Sequence, residues 1–457
     1  MTRSVAVIGG GIAGLAAAHA LATEHGCEVV LCEAGHRLGG KIVTTPFEGR
    51  MVDEGADAFL ARVPAAVDLA SEVGLGDDLV APAAANAYIA RGTSLLALPK
   101  ATVLGVPTSF REMLRSGAVS PAGTARAALD LVLPGEPLRG DIAIGELIRR
   151  RLGREVHERL VDPMLGGINA GRSEELSASV AAAQVAAAAR TDRSLVRALR
   201  HQLRANPPDP TRPVFRAPRS GMVALVEGID KSLRSAGVDV RLATPATAVR
   251  RTSAGWSLED VGDFDGVVVA TPAPAAARLL GALSTEAAAL LRGIEYSSVA
   301  LVTLAYPRKA VRHPLDGSGL LVPRVERRLL TACSFASTKW AHLGGGDDVI
   351  LRASAGRMGD DRAQSLDDET LVALLHGELA ELLDITAPPS AYRVSRWHEA
   401  FPQYRPAHLD RMDTAVAALA AEAPGVAVAG AAVRGVGIPT CITSGQAAAA
   451  AVVRAIR

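Results

Sequence analysis

The amino-terminal stretch constrains this chain more than any other part of it. Ser4 to Gly9 read SVAVIG, a β-branched run typical of a buried parallel strand. The run enters Gly9-x-Gly11-x-x-Gly14 and continues as LAAAHALATEHG, an apolar helical pattern that stops at Gly26. CEVVLCEA then forms a second strand with Glu33 at its tip. Each special residue has a physical job in a dinucleotide-binding β-α-β unit. Gly9 permits the tight turn out of the strand, Gly11 lets backbone approach a pyrophosphate, and Gly14 lets helix and strand pack closely. The phosphates meet the free N–H groups and the positive dipole end of the helix. Glu33 is placed to accept hydrogen bonds from ribose hydroxyls, which favours a free 2′-hydroxyl over a 2′-phosphate. A bare glycine fingerprint is weak evidence, but strand, helix, second strand and acid all in register make it specific.

The motif continues as Ala34-Gly35-His36-Arg37-Leu38-Gly39-Gly40-Lys41. Gly39 and Gly40 make a second close-approach loop, and Arg37 and Lys41 can offset phosphate charge. Val52-Asp53-Glu54-Gly55-Ala56-Asp57-Ala58 follows, where Gly55 lets backbone lie against a flat ring. This extension distinguishes FAD binding from simple NAD binding. Further on, VDVRLATPATAVRR (238–251) resembles the strand pair whose backbone touches adenine in such domains, with Val249 as the expected contact. Asp265 to Pro272 reads as a buried closing strand. The last segment is a strand, a glycine loop and a small-residue helix expected to begin near Ile442, its dipole aimed at the pyrimidine end of a flavin.

Totals exclude several other classes. The net charge of +1 gives no reason to expect a nucleic-acid partner, although local basic pockets stay open. Cys27, Cys32, Cys333 and Cys441 are scattered, with no CxxC pair and no Cys/His cluster, so neither a disulfide framework nor a structural metal is expected. The start leaves no room for a secretory signal, and no apolar run reaches the roughly 18 residues of a membrane span. A cytoplasmic protein with at most peripheral membrane contact is expected. Between the nucleotide segments lie a helix-rich stretch (99–205), a Pro/Arg-rich connector (206–219) and a stretch of short β-like runs (296–400).

These residues together resemble the bacterial porphyrinogen oxidase family of the coproporphyrinogen III and protoporphyrinogen oxidase type, within the flavin amine oxidase superfamily. The most specific pieces lie outside the nucleotide motif: LPKATVLGVPTS (98–109), IGELIRRRLGREVHERLVDPMLGGINAG (144–171), SRWHEAFPQY (395–404) and GVGIPTCITSG (435–445). The resemblance implies a monoamine oxidase-like α/β fold. Its Rossmann-type FAD-binding domain would comprise 1–75, 210–292 and 410–457. A mixed-sheet α+β substrate domain would comprise 76–98 and 293–409, and a helical insertion 99–209. Carried over residue by residue, contacts to a non-covalent FAD fall on Gly9, Gly10, Gly11, Ile12, Ala13, Gly14, Glu33, Ala34, Arg37, Gly40 and Lys41. They continue on Gly55, Ala56, Asp57, Ala58, Val249, Trp397, Val436, Gly437 and Ile438. The sequence departs from the family at Ala58, where Ser is common, and at Ser354, where relatives often carry an aromatic residue.

The implied reaction is six-electron oxidation of coproporphyrinogen III by dioxygen, with release of hydrogen peroxide, in haem biosynthesis. It fits what the sequence lacks: no Ser/His/Asp arrangement, HExxH or paired-carboxylate signature is present. Flavin and positioning suffice for such chemistry. Arg62, Arg91 and Arg352 are candidate clamps for substrate carboxylates, and Asn169 a candidate tunnel-lining residue. Other haem-pathway enzymes are candidate partners. Protoporphyrinogen IX is the alternative substrate. Three further readings stand beside these: an amine oxidase, a carotenoid desaturase-like enzyme and a non-catalytic haem-pathway flavoprotein. Aromatic residues are only 3% of the chain, too few to suggest the aromatic cage of an amine oxidase.

Overall fold

A computed structural model describes residues 3–84, 86–133, 136–207, 209 and 212–457. The first two residues of the chain, and Pro208, Pro210 and Thr211 of the Pro/Arg-rich connector, lie outside the described residues. The chain opens with strand β1 (Ser4–Ile8), helix α1 (Ile12–Thr23) and strand β2 (Glu28–Cys32). It returns to the same layer with helix α2 (Val223–Ser235), β3 (Asp239–Arg241), β4 (Gly266–Val269), β5 (Val426–Val428) and helix α3 (Ile438–Ala455). The five strands form one parallel sheet in the order β3-β2-β1-β4-β5. Helices cover one face, and a small three-stranded antiparallel sheet (Val249–Thr252, Gly255–Leu258, Gly262–Phe264) with further helices covers the other, so the central strands carry unbroken apolar runs rather than an alternation. All four residues of β4 are buried, as are Val5 to Ile8 of β1.

Small residues set the helix packing. A methyl group added at Gly14 would lie 1.9 Å from the Gly9 carbonyl oxygen, and one at Gly445 would lie 2.1 Å from that of Ala13. Helix α1 is therefore in backbone contact with the strand turn on one side and with α3 on the other. Helix α3 begins at Ile438, four residues before the position expected from sequence, and Ile442 is fully buried inside it. Pro439 sits in its first turn, where the missing N–H costs nothing and the fixed φ suits the helix.

A second, seven-stranded mixed sheet lies beside the first. Its order is Ala391–Pro402, Tyr296–Pro307, Asp348–Ala355, Leu330–Ser334, Gly319–Leu321, Ala87–Arg91 and Ser94–Ala97. One pairing, Gly319–Leu321 with Ala87–Arg91, is parallel and the others are antiparallel. Helix Asp368–Leu383 contributes Leu371, Leu375 and Leu379 to the core of this sheet.

A third core, running from Ile89 to Leu199, belongs to a helical layer. In helix Ile144–Leu152, Ile144, Leu147, Ile148 and Leu152 are buried at the i, i+3, i+4 spacing of one face. Arg149, Arg150 and Arg151 fill its last turn, where cations complement the helix dipole. No helix among the described residues is long and apolar enough to cross a membrane, and all four cysteines are free.

The contact between α1 and α3 gives the first prediction. Gly445→Ala should destabilise the protein by about 1–3 kcal/mol, because its methyl must push backbone apart. Urea unfolding of the two proteins checks this, and an unchanged midpoint would show that the helices are not in backbone contact.

Candidate active site

The site begins at the open end of α1. Gly9 has φ +107°, and its N–H donates to the Cys32 carbonyl at 2.8 Å. Gly11 caps the helix with no side-chain acceptor, and no acidic residue stands in the first turn. The first-turn N–H groups, Ile12 and Ala13 included, thus have no side chain to satisfy them. A methyl group at Gly11 would meet no atom within 4 Å, so the space in front of this helix end is open. The second glycine loop closes over it. Gly39 N–H donates to the Gly10 carbonyl at 2.8 Å, and a methyl at Gly40 would lie 3.2 Å from Gly11 Cα.

Glu33 braces both loops. One carboxylate oxygen accepts from Gly10 N–H and the other from Gly35 N–H, each at 2.7 Å. Each oxygen keeps a lone pair, so the carboxylate can still take a ribose hydroxyl. Ala34, beside it, is exposed. Arg37 is spent on its own loop, donating to the carbonyls of Leu38, Gly40 and Ile42. Lys41 is exposed, yet protein crowds round it and desolvation pushes its ammonium pKa below the usual value. A cation both accessible and crowded is one on the wall of a cleft. Its Nζ donates to the Ala400 carbonyl at 2.5 Å.

The segment 54–58 forms the next wall. A methyl at Gly55 would lie 2.4 Å from the Lys41 carbonyl oxygen and 3.6 Å from the Trp397 ring. Trp397 Nε1 donates to the Glu54 carbonyl at 2.8 Å. Asp57 is held by Lys339 at 2.7 Å, by Arg352 at 3.2 Å and by Trp340 Nε1 at 3.2 Å. Burial alone would raise the Asp57 pKa, but the two cations outweigh it and hold the carboxyl well below the usual range. Arg352 also donates to the Gly55 carbonyl at 2.6 Å. Its guanidinium, 8% exposed, is therefore already engaged by the site wall. Ala56 is exposed and Ala58 half-buried on this wall.

Val436, Gly437 and Ile438 lie in the turn that starts α3; Gly437 caps the helix without a side-chain acceptor. Cys441 packs behind the turn, 5% exposed, its thiol pushed up to about 11 by burial. Val249 is buried in the core beside Trp256 and Leu258, and the loop leading to it returns to Glu33 through Thr244 N–H. The open cradle at Gly11, the braced acid and the second glycine loop fit an adenine dinucleotide, and the wall at Gly55 fits a flat ring.

Other candidates fall elsewhere. Arg62 is exposed on a turn. Arg91, three strands along the sheet from Arg352, donates to the Gly117 carbonyl at 2.6 Å. Asn169 is buried; its amide donates to Leu165 and its carbonyl accepts from Gln403. Ser354 hydrogen-bonds Thr331 at 2.7 Å. Lys339 and Trp340, which hold Asp57, escaped the sequence reading, because their partner lies 282 residues away and no local pattern marks the pairing.

The sequence profile of flavin-containing amine oxidoreductases matches residues 12–453. A coproporphyrinogen III oxidase of Bacillus subtilis (strain 168) is 35% identical over 463 residues, covering 98% of this chain and 97% of the relative. One from Mycobacterium leprae is 36% identical, covering 97% and 96%. A crystal structure of a protein from Exiguobacterium superposes with a TM-score of 0.88 at 30% identity over 99% of both chains.

Asp57→Asn should lower stability at pH 7 by about 3 kcal/mol, since it leaves two partly buried cations without their counter-ion. A depressed native pKa gives stability that is present above the unfolded value, near 4, and lost as pH falls through the native one. The gap between wild type and variant should therefore shrink below about pH 4. Thermal unfolding at pH 7 and pH 3 measures it, and a constant gap would contradict the ion-pair account.

Proposed function

We propose a function on the premise that this chain belongs to the flavin-containing amine oxidoreductase family and is an FAD-dependent oxidoreductase. It oxidises coproporphyrinogen III to coproporphyrin III, with dioxygen as acceptor and hydrogen peroxide as by-product, in haem biosynthesis. The observation that carries this reading is full-length similarity, at 35–36% identity, to relatives named coproporphyrinogen III oxidase. The same reading places the protein in the cytoplasm, at most peripherally in contact with a membrane, with other haem-pathway enzymes as partners.

FAD, when bound, supplies two-electron acceptance, so three rounds account for the six electrons lost by the porphyrinogen. The chain's own task is to hold and orient. Gly9 to Gly14 and Gly40 would hold the pyrophosphate against the end of α1, with Glu33 on the ribose. Ala34 and Val249 would flank the adenosine, and Arg37 would keep the second glycine loop in shape. Lys41 would place a cation in the cleft. Gly55 to Ala58, Trp397 and Val436 to Ile438 would enclose the flavin ring. The positive end of α3, uncapped at Gly437, would favour negative charge on a ring held beside it. Aromatisation of the tetrapyrrole drives the reaction, so no acid, base or nucleophile need be poised beside it.

Purified protein supplied with coproporphyrinogen III in air should form porphyrin fluorescence with three hydrogen peroxide per porphyrin, faster than with protoporphyrinogen IX. The reverse preference would move the substrate assignment to protoporphyrinogen IX and keep the chemistry. Turnover of neither, by a protein that retains FAD, would sink the proposal in favour of an amine, a carotenoid or a non-catalytic role.

A further inference from the structure

Beyond the loops that would hold the flavin, the end of strand Asp348–Ala355 meets the helical layer at a seam. Met358 N–H donates to the Ala170 carbonyl at 2.8 Å, and Arg324 Nη2 to that of Gly171 at 3.2 Å. A shallow, open pocket of about 460 Å³ lies there, lined by Arg324, Arg327, Arg357 and Arg362 together with Asp360 and Asp361. Four cations against two anions already favour a negative ligand.

Arg357 makes the case. It is 7% exposed, and its Nε has no hydrogen-bond partner. Among the described residues its guanidinium makes no hydrogen bond or ion pair at all. Arg324 Nε is likewise buried without a hydrogen-bond partner. The nearby carboxylates are committed. Asp360 takes both Nε and Nη2 of Arg362 at 2.8 Å. Asp162 accepts from Ser173 Oγ at 2.5 Å and stands 4.0 Å from Arg324. Burial, and then the neighbouring Arg324, lower the Arg357 pKa to about 10, so it is still a cation at neutral pH. Asp162 and Asp360 lie near enough to favour its charge, but neither bonds it, so the buried Nε without a partner leaves the fork free for an incoming anion. The planar guanidinium fork matches the two oxygens of a carboxylate or phosphate.

We propose that Arg357, backed by Arg324, forms an oxyanion site at this seam that takes a carboxylate or phosphate group. Two sources carry that chemistry: a propionate of the tetrapyrrole, which rests on the function proposed above, or a free phosphate. Position favours the propionate. Trp397 pairs with Val299, and Ala355 pairs with Ala300 on the other side of the same strand. Gly356, next to Arg357, and Trp397 are thus two strand spacings apart, roughly 10 Å.

Arg357→Met and Arg357→Lys, each as holoenzyme, test the site. Inorganic phosphate should raise the thermal midpoint of the wild type well beyond that of Arg357→Met at matched ionic strength. If a propionate is the ligand, Arg357→Met should raise KM for coproporphyrinogen III about tenfold with kcat little changed. Protoporphyrinogen IX, with two fewer carboxylates, should be less affected, and Arg357→Lys should fall between. A phosphate response lost in the variant with unaltered KM values assigns the site to a free anion. Equal phosphate responses and equal KM values overturn it. Should Arg357→Met not fold, Arg357→Lys carries both comparisons. Should neither porphyrinogen be oxidised, the function proposed above fails, and the phosphate arm still decides the site.

Discussion

Backbone contact without an intervening side chain organises the nucleotide half of this protein. At Gly14 the helix α1 backbone meets the Gly9 carbonyl, at Gly445 helix α3 meets Ala13, and at Gly9 the turn meets the Ala270 carbonyl. These contacts fix the angle at which α1 leaves the sheet, and so where its uncapped end points. The parallel strands bury apolar runs on both faces, which leaves polar chemistry to the loops at their carboxyl ends. Glu33 then ties the two glycine loops together through two N–H donors, so a single carboxylate shapes the cradle and faces it.

A second device stiffens the opposite wall. The short segment around Gly55 has little side-chain bulk, yet Asp57 is held by Arg352 of the mixed sheet and by Lys339 and Trp340 at the end of the short helix Ala336–Lys339. The network joins the parallel and mixed layers where a flat ring would lie. The choice is consistent with the chemistry: a reaction driven by aromatisation needs a rigid, shaped cleft more than a titrating group.

What could be read from sequence was local. The β-α-β unit announced itself because every residue of its signature lies within one continuous stretch. Helix Ile144–Leu152 is local in the same way, its buried Ile144, Leu147, Ile148 and Leu152 falling on one face within nine residues. GVGIP reads as a loop, yet Pro439 occupies the first helical turn, so α3 starts four residues earlier than its sequence suggests. Arg352 and Lys339 show the other limit. A charged residue in a strand or a short helix says nothing about its partner when that partner is nearly three hundred residues away. Arg357 was likewise unremarkable in sequence, since its isolation exists only after two layers close over it.

The central claim is that this fold brings a porphyrinogen against its own bound flavin. Anaerobic stopped-flow mixing of the yellow protein with coproporphyrinogen III tests that most directly. The account predicts bleaching of flavin absorbance before any oxygen is admitted, and its return with porphyrin absorbance on aeration. Flavin that stays oxidised with either porphyrinogen, in protein that retains its full complement of FAD, would contradict it.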